Sequence, residues 1–266
     1  MKNFLARLFP HGVLLRRLAM RELAARYRGS VLGIAWAVIT PVAMMAVYTF
    51  VFHSVLAARW PGHAANDKVI YALNLLAGLT VFNMLAECLN RAPRLILENP
   101  SYVKKLVFPV EILPAVALAS AMISAAIGGV MLLLFQWVLR GAPAPESLLL
   151  PLILLPLLLF ILGVTYLLAG LGVFLRDIGQ MTGPAVLMLM FLSSVFYPAE
   201  SVPQPWRAWL SFNPVAEAIS WVRGAIFLGT LPPTGAYLAH LAAGALILLL
   251  GYRVFMALRP GFADVL

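Results

Sequence analysis

Long apolar segments joined by shorter polar connections dominate this chain of 266 residues. An α-helix needs roughly 20 apolar residues to cross the hydrocarbon core of a bilayer. The pattern therefore predicts a transmembrane helix in each of six stretches, at residues 31–56, 69–90, 110–139, 148–174, 181–198 and 236–257. Strand-type alternation of apolar and polar residues is absent from the sequence, so a transmembrane β-barrel is not expected. The predicted fold is an all-α integral membrane protein with a single domain over residues 1–266.

One of these stretches is short, and two others contain prolines. The fifth stretch, 181–198, is short for a complete crossing, and the third and fourth contain Pro114, Pro151 and Pro156. Proline is tolerated in membrane helices where neighbouring groups satisfy the carbonyl that it frees. We therefore expect kinks at these prolines and uninterrupted spans around them.

Composition supports a membrane protein and narrows its partners. The chain is 63% hydrophobic and only 11% charged, whereas about 25% of a soluble domain is charged. Its net charge is +9, and the basic residues cluster beside the apolar stretches. This distribution is typical of the cytoplasmic loops of membrane proteins and not of a surface that binds nucleic acid. A single cysteine, Cys88, excludes an intramolecular disulfide and a cysteine-based metal cluster. The opening residues lack the pattern of a signal peptide.

Orientation follows from the positions of the basic residues. With six spans, most of the 19 Lys and Arg residues fall in connections on the same side as the N-terminus. Cytoplasmic connections carry this excess, so that side is predicted to face the cytoplasm. An even number of spans returns the C-terminus to the same side, which predicts a multi-pass protein with both termini cytoplasmic.

Residues 1–30 form a basic segment before the first span. If this part is helical, Arg17, Arg21 and Arg28 lie on one face at spacings of four and seven. Such a helix can lie in the membrane interface with its arginines toward lipid phosphates. An ordinary positive-inside anchor explains the same residues equally well, and the sequence leaves both interpretations open.

The connection ENPSYVKKLVFP, between the second and third spans, has the signals of a short helix. Asn99 is a favourable N-cap and Pro100 fits the first helical position, while Pro109 limits the helix to roughly two turns. Lys104 and Lys105 fall at its end, where the helix dipole favours cations. The segment is either a contact for a soluble partner or a simple connector.

Residues 199–230, before the last span, are too rich in proline for two crossings and too apolar for a solvated loop. Asn213 and Pro214 again predict the start of a helix, here of about four turns. Tryptophan rings are favoured at the membrane–water boundary. This segment carries Trp206, Trp209 and Trp221. We predict two short helices that enter the outer leaflet without crossing it.

Polar residues form a stripe on the second span. They recur at spacings of three and four, which places them on one helical face: Thr80, Asn83, Glu87, Asn90 and Arg94. A carboxylate in a span is costly unless it meets a partner or water. Glu87 is therefore expected either to pair with Arg91 or Arg94, or to line a polar path.

Enzyme motifs are lacking in the sequence. It contains neither H-E-x-x-H nor G-x-S-x-G, and none of its four histidines has an acid at ligand spacing. No catalytic residue and no metal site are therefore expected. The P-loop motif is also missing, so another polypeptide must supply the ATPase if ATP drives this protein.

Four segments resemble the permeases of bacterial polysaccharide ABC exporters, which serve O-antigen, capsule and teichoic acid. RYRGSVLGIAWAVITP, which starts at Arg26, is similar to the entry to their first span. ENPSYVKKLVFPVEILP resembles their first coupling segment and FLRDIGQ their second. FYPAESVPQPWRAWLSFNP is similar to the region before their last span. The likeness covers most of the chain in the right order and is greatest to the O-antigen type.

The resemblance implies a transmembrane subunit, not an enzyme, in an ATP-driven exporter of the bacterial inner membrane. Its cargo would be a polysaccharide on a polyprenyl pyrophosphate carrier. Two copies of the chain would assemble with two copies of a nucleotide-binding subunit, which would carry ATP and magnesium, so this chain needs no cofactor. The implied contacts with the ATPase are Asn99, Pro100, Tyr102, Lys104, Lys105, Arg176 and Asp177.

For such a cargo, arginines at the inner headgroup level would bind the pyrophosphate, and aromatic rings would stack on the sugars. The arginines expected to bind it are Arg26 and Arg28. The residues expected along the channel are Trp36, Tyr48, Phe82, Asn83, Glu87 and Trp137. Those expected at an extracytoplasmic exit gate are Tyr197, Trp206, Trp209, Asn213, Pro214 and Trp221.

Other functions remain open from the sequence. An exporter of another lipid or a drug would have a similar architecture. A membrane-embedded glycosyl or acyl transferase would need polar residues from several spans, and only one polar stripe is visible. A scaffold without transport activity fits the coupling-like segments less well. The glycan's identity and length are not specified by the sequence.

Overall fold

Every regular element in the computed structural model is helical over the residues that it describes, 11–55, 60, 67–103 and 108–265. The α-helices are α1 (Gly12–Tyr27), α2 (Trp36–Tyr48), α3 (Lys68–Arg91), α4 (Pro100–Val103), α5 (Leu113–Arg140), α6 (Leu150–Ile153), α7 (Leu155–Phe174), α8 (Ile178–Leu192), α9 (Trp206–Leu210), α10 (Pro214–Arg223), α11 (Thr234–Leu258) and α12 (Phe262–Val265). Short 3-10 or π-helical turns adjoin them at Gly33–Ala35, Thr49–Val55, Ala92–Arg94, Val110–Ile112, Pro145–Leu149, Ala199–Ser201, Gly224–Leu228 and Arg259–Gly261.

Five of the helical segments in the described residues are long and apolar enough to cross a membrane. They are Trp36–Val55, Lys68–Arg94, Val110–Arg140, Pro145–Phe174 and Thr234–Val265. They correspond to the first four and the last of the six predicted spans. The prediction of an all-α membrane protein is therefore confirmed. Whether the fifth predicted stretch, 181–198, also crosses the membrane stays a prediction.

The fifth predicted span differs most from the structure. The helix α8 has 15 residues, and at 1.5 Å per residue it extends about 22 Å, less than the roughly 30 Å of hydrocarbon in a bilayer. The chain leaves the helix at Ser193, and Ser194 adopts a left-handed conformation with φ of 49°. The following residues up to Phe196 are buried in protein. Irregular backbone at membrane depth is tolerated in such a setting because protein groups satisfy it.

The prolines of the predicted spans behave in two ways. Pro114 lies in the first turn of α5, where its missing N–H costs no hydrogen bond, so the expected kink there was wrong. In the fourth span the helix is interrupted at Leu154, between α6 and α7. Pro151 and Pro156 lie in the first turns of these two helices, so the interruption falls between the two prolines, and a kink there stays a prediction.

The helix α3 forms the centre of the core. It packs against α2, α5, α7, α8 and α10, and most of its side chains are buried. Outside the polar stripe its side chains are mostly apolar, as expected for a helix that others enclose. Asp67 caps its start by accepting a hydrogen bond from the backbone of Ile70 at 3.1 Å, and it also pairs with Arg140 at the end of α5.

The helices α7 and α11 approach each other through glycines. A Cβ atom built on Gly251 would lie 2.0 Å from the carbonyl oxygen of Gly163, and one on Gly163 would lie 2.5 Å from the backbone of Leu248. Gly244 meets the carbonyl of Pro156 in the same way, at 2.6 Å. Small residues at the contact allow this close backbone approach, which is a common way for membrane helices to associate.

Contacts between chain segments define two ends of the bundle. The α1 end contains α1, the C-terminal parts of α3, α7 and α11, and the start of α5. There Arg259 pairs with Glu111 at 3.1 Å, and Phe174 packs on Phe262. The α10 end contains the start of α3, the end of α5, α9 and α10. The sequence-based orientation predicts that the α1 end is cytoplasmic.

Candidate functional site

An ion pair at the α1 end joins α1 to α3. Arg26 Nη1 donates to Glu87 Oε2 at 2.9 Å, and Nη2 contacts Glu87 Oε1. The same Nη1 atom lies 3.3 Å from Ser124 Oγ on α5. The expected pairing of Glu87 with Arg91 or Arg94 was therefore wrong, because the first of these binds Glu22 of α1, with Nη1 and Oε2 2.6 Å apart.

A cavity of about 310 Å³ lies between α2, α3 and α5, next to this ion pair. The polar stripe of α3 faces it through Thr80, Asn83 and Glu87, and Arg26 and Trp36 complete its polar and aromatic lining. The structure thus brings together residues that the sequence assigned separately to a carrier site and to a channel. We call this cavity the α2–α3–α5 groove.

Other residues expected along a channel lie elsewhere. Phe82 is only 1% exposed and packs in the core, so its placement along a channel is corrected. Its position on α3 points toward neighbouring helices and away from the polar stripe. Tyr48 is half-buried against Phe196, with ring centroids 5.1 Å apart. Trp137 is exposed near the end of α5.

The two arginines expected to bind pyrophosphate differ in environment. Arg26 lines the α2–α3–α5 groove and a second cavity at the α1 end. Arg28 is exposed just beyond the end of α1 and lines neither cavity. Of these two cavities in the described part of the chain, Arg26 thus lines both and Arg28 neither.

The predicted coupling helix begins where the sequence indicated. The helix α4 starts at Pro100, and the side chain of Asn99 donates to the carbonyl of Leu95 at 2.9 Å. Tyr102 accepts a hydrogen bond from Arg21 Nη2 of α1 at 2.7 Å. The end of the predicted helix, with Lys104 and Lys105, lies outside the described residues.

The second predicted coupling segment is the short loop between α7 and α8. Arg176 and Asp177 are both exposed there. The end of α7, just before this loop, packs closely on the turn Ala92–Arg94, because a Cβ atom on Gly172 would meet the carbonyl oxygen of Pro93. The loop therefore lies at the α1 end, as α4 does.

A buried arginine organises the α10 end. Arg223, the last residue of α10, is 8% exposed. Its Nε and Nη2 atoms donate to the carbonyl of Asn74 at 3.0 and 2.9 Å. Its Nη1 donates to Ser194 O at 2.9 Å, and Nη2 also donates to Val195 O at 2.8 Å. The carbonyls therefore compensate the buried charge with dipoles.

The surroundings of Arg223 fit this arrangement. The ring of Trp60 lies 4.5 Å from the guanidinium carbon, which is favourable cation–π geometry. Gly78 leaves the space that the guanidinium occupies, since a Cβ atom there would lie 2.8 Å from Nη2. Burial lowers the pKa of Arg223. Sequence reasoning missed this residue, although a single arginine in the apolar segment ISWVRGAIF was an available signal.

The residues expected at an exit gate form only part of one surface. Asn213 caps α10 as predicted, accepting hydrogen bonds from the backbone of Val215 at 2.9 Å and Ala216 at 3.3 Å. Its amide also donates to Ser193 Oγ at 3.0 Å. Pro214 is the first residue of α10. This cap fixes the start of α10 against the irregular segment that follows α8.

The aromatic residues of this end divide into exposed and buried ones. Trp206 and Trp209 on α9 are exposed, as residues at a membrane boundary would be. Trp221 is only 6% exposed and packs on Tyr237 of α11, so its predicted place at the boundary is corrected. It lies on the inner face of α10. Tyr197 donates its hydroxyl to the carbonyl of Phe191, the two oxygens being 2.7 Å apart.

A cavity of about 430 Å³ opens beside Arg223 at the α10 end. Trp60, Asn74 and Glu200 contribute to its lining. Among the described residues, no group of three or more His, Cys, Asp and Glu is arranged to hold a metal ion. The side chains that line the Arg223 cavity and the α2–α3–α5 groove offer hydrogen bonds, charge and aromatic contact.

The fold and the two polar cavities define a multi-span membrane protein with polar sites at opposite ends of an apolar bundle. The family described as ABC-2 type transporter matches residues 13–227, which is most of the chain. The chain therefore belongs to the ABC-2 type transporter family. Membership confirms the resemblance of its sequence to ABC exporter permeases.

Relatives of the chain are similar over nearly their whole length. It is 24% identical to an O-antigen export system permease protein RfbA of Klebsiella pneumoniae over 248 residues, 92% of each chain. It is also 24% identical to the protein of the same name from Myxococcus xanthus over 259 residues, 97% of this chain and 96% of that one. The polysialic acid transport protein KpsM of Escherichia coli is 26% identical over 245 residues, 89% of this chain and 90% of KpsM.

Proposed function

We propose that this chain is the transmembrane subunit of an ATP-driven exporter that moves a polyprenyl-pyrophosphate-linked polysaccharide across the bacterial inner membrane. The observation that carries the proposal is the similarity over at least 89% of the chain to permeases named for O-antigen export and polysialic acid transport. Its class, the membrane subunit of an ABC transporter, follows from the family match over residues 13–227.

The α2–α3–α5 groove supports a polar cargo. Thr80, Asn83 and Glu87 face this groove. Polar side chains in an apolar bundle cost free energy unless water or other polar groups contact them, because they are otherwise desolvated without hydrogen bonds. Trp36 on the wall of the groove offers a ring face to a sugar. An apolar drug or lipid tail would gain nothing from these polar residues.

The proposed assembly contains two copies of this chain and two copies of a nucleotide-binding subunit, with ATP and magnesium on the latter. Both termini and the α1 end face the cytoplasm in this proposal. The location of both α4 and the α7–α8 loop at the α1 end supports a docking area for the ATPase at that end.

Co-expression with the candidate ATPase tests the proposal. We expect a stable complex of two plus two subunits whose ATP hydrolysis in lipid nanodiscs increases when polyprenyl-linked glycan is added. A matched preparation with the unglycosylated polyprenyl phosphate serves as the control. A chain that purifies alone and leaves every candidate ATPase unstimulated would contradict the exporter.

A further inference from the structure

The second cavity at the α1 end, which Arg26 also lines, lies between α1, the end of α3 and the residue before α4. Its volume is about 390 Å³, and it is open to the surface. Six residues line it: Arg21, Glu22, Ala25, Arg26, Arg91 and Asn99. Three arginines and one glutamate thus face a space large enough for a phosphate-bearing group.

The charges of this cavity do not cancel. Arg91 is paired with Glu22, and Arg26 is paired with Glu87. Arg21 instead donates to the neutral hydroxyl of Tyr102 at 2.7 Å. All the Asp and Glu side chains of the chain fall within the described residues, and no salt bridge there involves Arg21. One positive charge is therefore left without a carboxylate partner.

We propose that this cavity binds the phosphate groups of a lipid headgroup at the membrane surface, with Arg21 as their main charged donor. A guanidinium matches phosphate oxygens with two parallel N–H donors. Asn99, at the rim, keeps one amide hydrogen beyond the one that it donates to Leu95. The identity of the lipid as the polyprenyl pyrophosphate carrier rests on the proposed function.

The cavity also connects the headgroup to the segment expected to contact the ATPase. Tyr102, which accepts from Arg21, belongs to α4, and its ring stacks on Phe108 with centroids 4.3 Å apart. A phosphate that takes the donors of Arg21 replaces this hydrogen bond between α1 and α4. Headgroup binding would therefore change the contact of α4 with α1 and signal a loaded carrier to the ATPase.

Binding and hydrolysis are measured on the complex with its ATPase in nanodiscs of zwitterionic lipid. The probes are farnesyl pyrophosphate, inorganic pyrophosphate and phosphatidylglycerol. Loss of a charge-assisted hydrogen bond costs about tenfold in affinity or more, so Arg21→Gln is expected to raise the Kd for farnesyl pyrophosphate at least about tenfold. Arg16→Gln removes an exposed charge of the same helix, outside the cavity, and is expected to leave the Kd unchanged.

Tyr102→Phe distinguishes phosphate binding by Arg21 from its hydrogen bond to α4. It removes the acceptor and keeps the arginine, so binding of farnesyl pyrophosphate is expected to persist while its effect on ATP hydrolysis is lost. Equal losses of binding in Arg16→Gln and Arg21→Gln would overturn the site in favour of general surface attraction. Phosphatidylglycerol binding that farnesyl pyrophosphate does not displace would overturn the carrier as its ligand and keep the phosphate site.

The result also separates this inference from the function on which it rests. If glycan-linked carrier stimulates the wild-type complex and Arg21→Gln equally and with the same concentration dependence, the cavity is overturned and the exporter stands. If the wild-type complex neither binds nor responds to glycan-linked carrier, the proposed function itself fails.

Discussion

At the scale of single residues, the partners of charged groups come from distant parts of the sequence. Spacing along α3 favoured Arg91 or Arg94 for Glu87, whereas its partner is Arg26 on α1. Local spacing describes neighbours on one helix, and this partner depends on how α1 crosses α3. The polar stripe itself was predictable because helical periodicity alone places its members on one face.

The Arg26–Glu87 pair should contribute measurably to stability, although solvent reaches both side chains. We expect Glu87→Gln to lower the free energy of unfolding by about 1–2 kcal/mol, because it leaves the arginine charge without its carboxylate. Thermal unfolding of the solubilised protein measures this change. The double variant Arg26→Glu with Glu87→Arg should recover part of the loss, and Glu98→Gln, at an exposed position, should have no effect.

Arg223 should be far less tolerant of change. Replacing it with Gln removes a charge whose four hydrogen bonds satisfy three buried carbonyls, and we expect a loss of about 3 kcal/mol or more. Arg223→Lys should also destabilise, because an ammonium group cannot reproduce the planar fork. The melting temperatures of both variants are compared with that of Arg253→Gln, a control on the exposed side of α11. A wild-type melting temperature for Arg223→Lys would show that charge alone suffices.

At the scale of elements, length and apolarity predicted five spans that the structure has as long apolar helices, while the fifth predicted stretch, 181–198, differs in its bounds. The helix α8 ends at Leu192, six residues before the predicted boundary, even though apolar residues resume after two serines, at Val195 and Phe196. The carbonyls of Ser194 and Val195 are turned toward Arg223, and that of Phe196 accepts from Tyr71. Apolarity gives no indication of such long-range hydrogen bonds. The caps of α10 were predictable because Asn213 and Pro214 act locally.

The close contact of α7 and α11 depends on the absence of side chains. We expect Gly251→Ala to destabilise the protein by about 3 kcal/mol, because a methyl group would overlap the carbonyl oxygen of Gly163 and force the helices apart. Gly235→Ala on the same helix meets no atom within 4 Å and serves as the control. Thermal unfolding in one detergent compares the two. Equal melting temperatures would mean that the helices separate without cost.

At the scale of the whole molecule, orientation and the sixth crossing can be tested together. Cys88 is buried, so a membrane-impermeant maleimide should leave the wild-type protein unlabelled in intact cells. Phe212→Cys, in the exposed turn between α9 and α10, should be labelled from outside. Asp177→Cys, before α8, should be labelled only after the cells are permeabilised.

Comparing the labelling of Phe212→Cys and Asp177→Cys also shows which results would contradict the predicted topology. If α8 and the segment after it do not cross the membrane, both cysteines must react from the same side. Labelling of Asp177→Cys alone in intact cells would reverse the predicted orientation. The sequence predicts the distribution of charge but not which surface of the bundle meets a second copy, because that surface is apolar whether lipid or protein covers it.

The single guanidinium of Arg223 has a mechanical consequence. It fastens α10 to the start of α3 and to the segment after α8, three regions that lie far apart along the chain. Displacing α10 alone would break several hydrogen bonds at once in a nonpolar setting. These parts must therefore travel as one rigid body during any opening motion. A passage at this end can widen only along the boundaries of that body, by its rotation against helices that Arg223 does not hold.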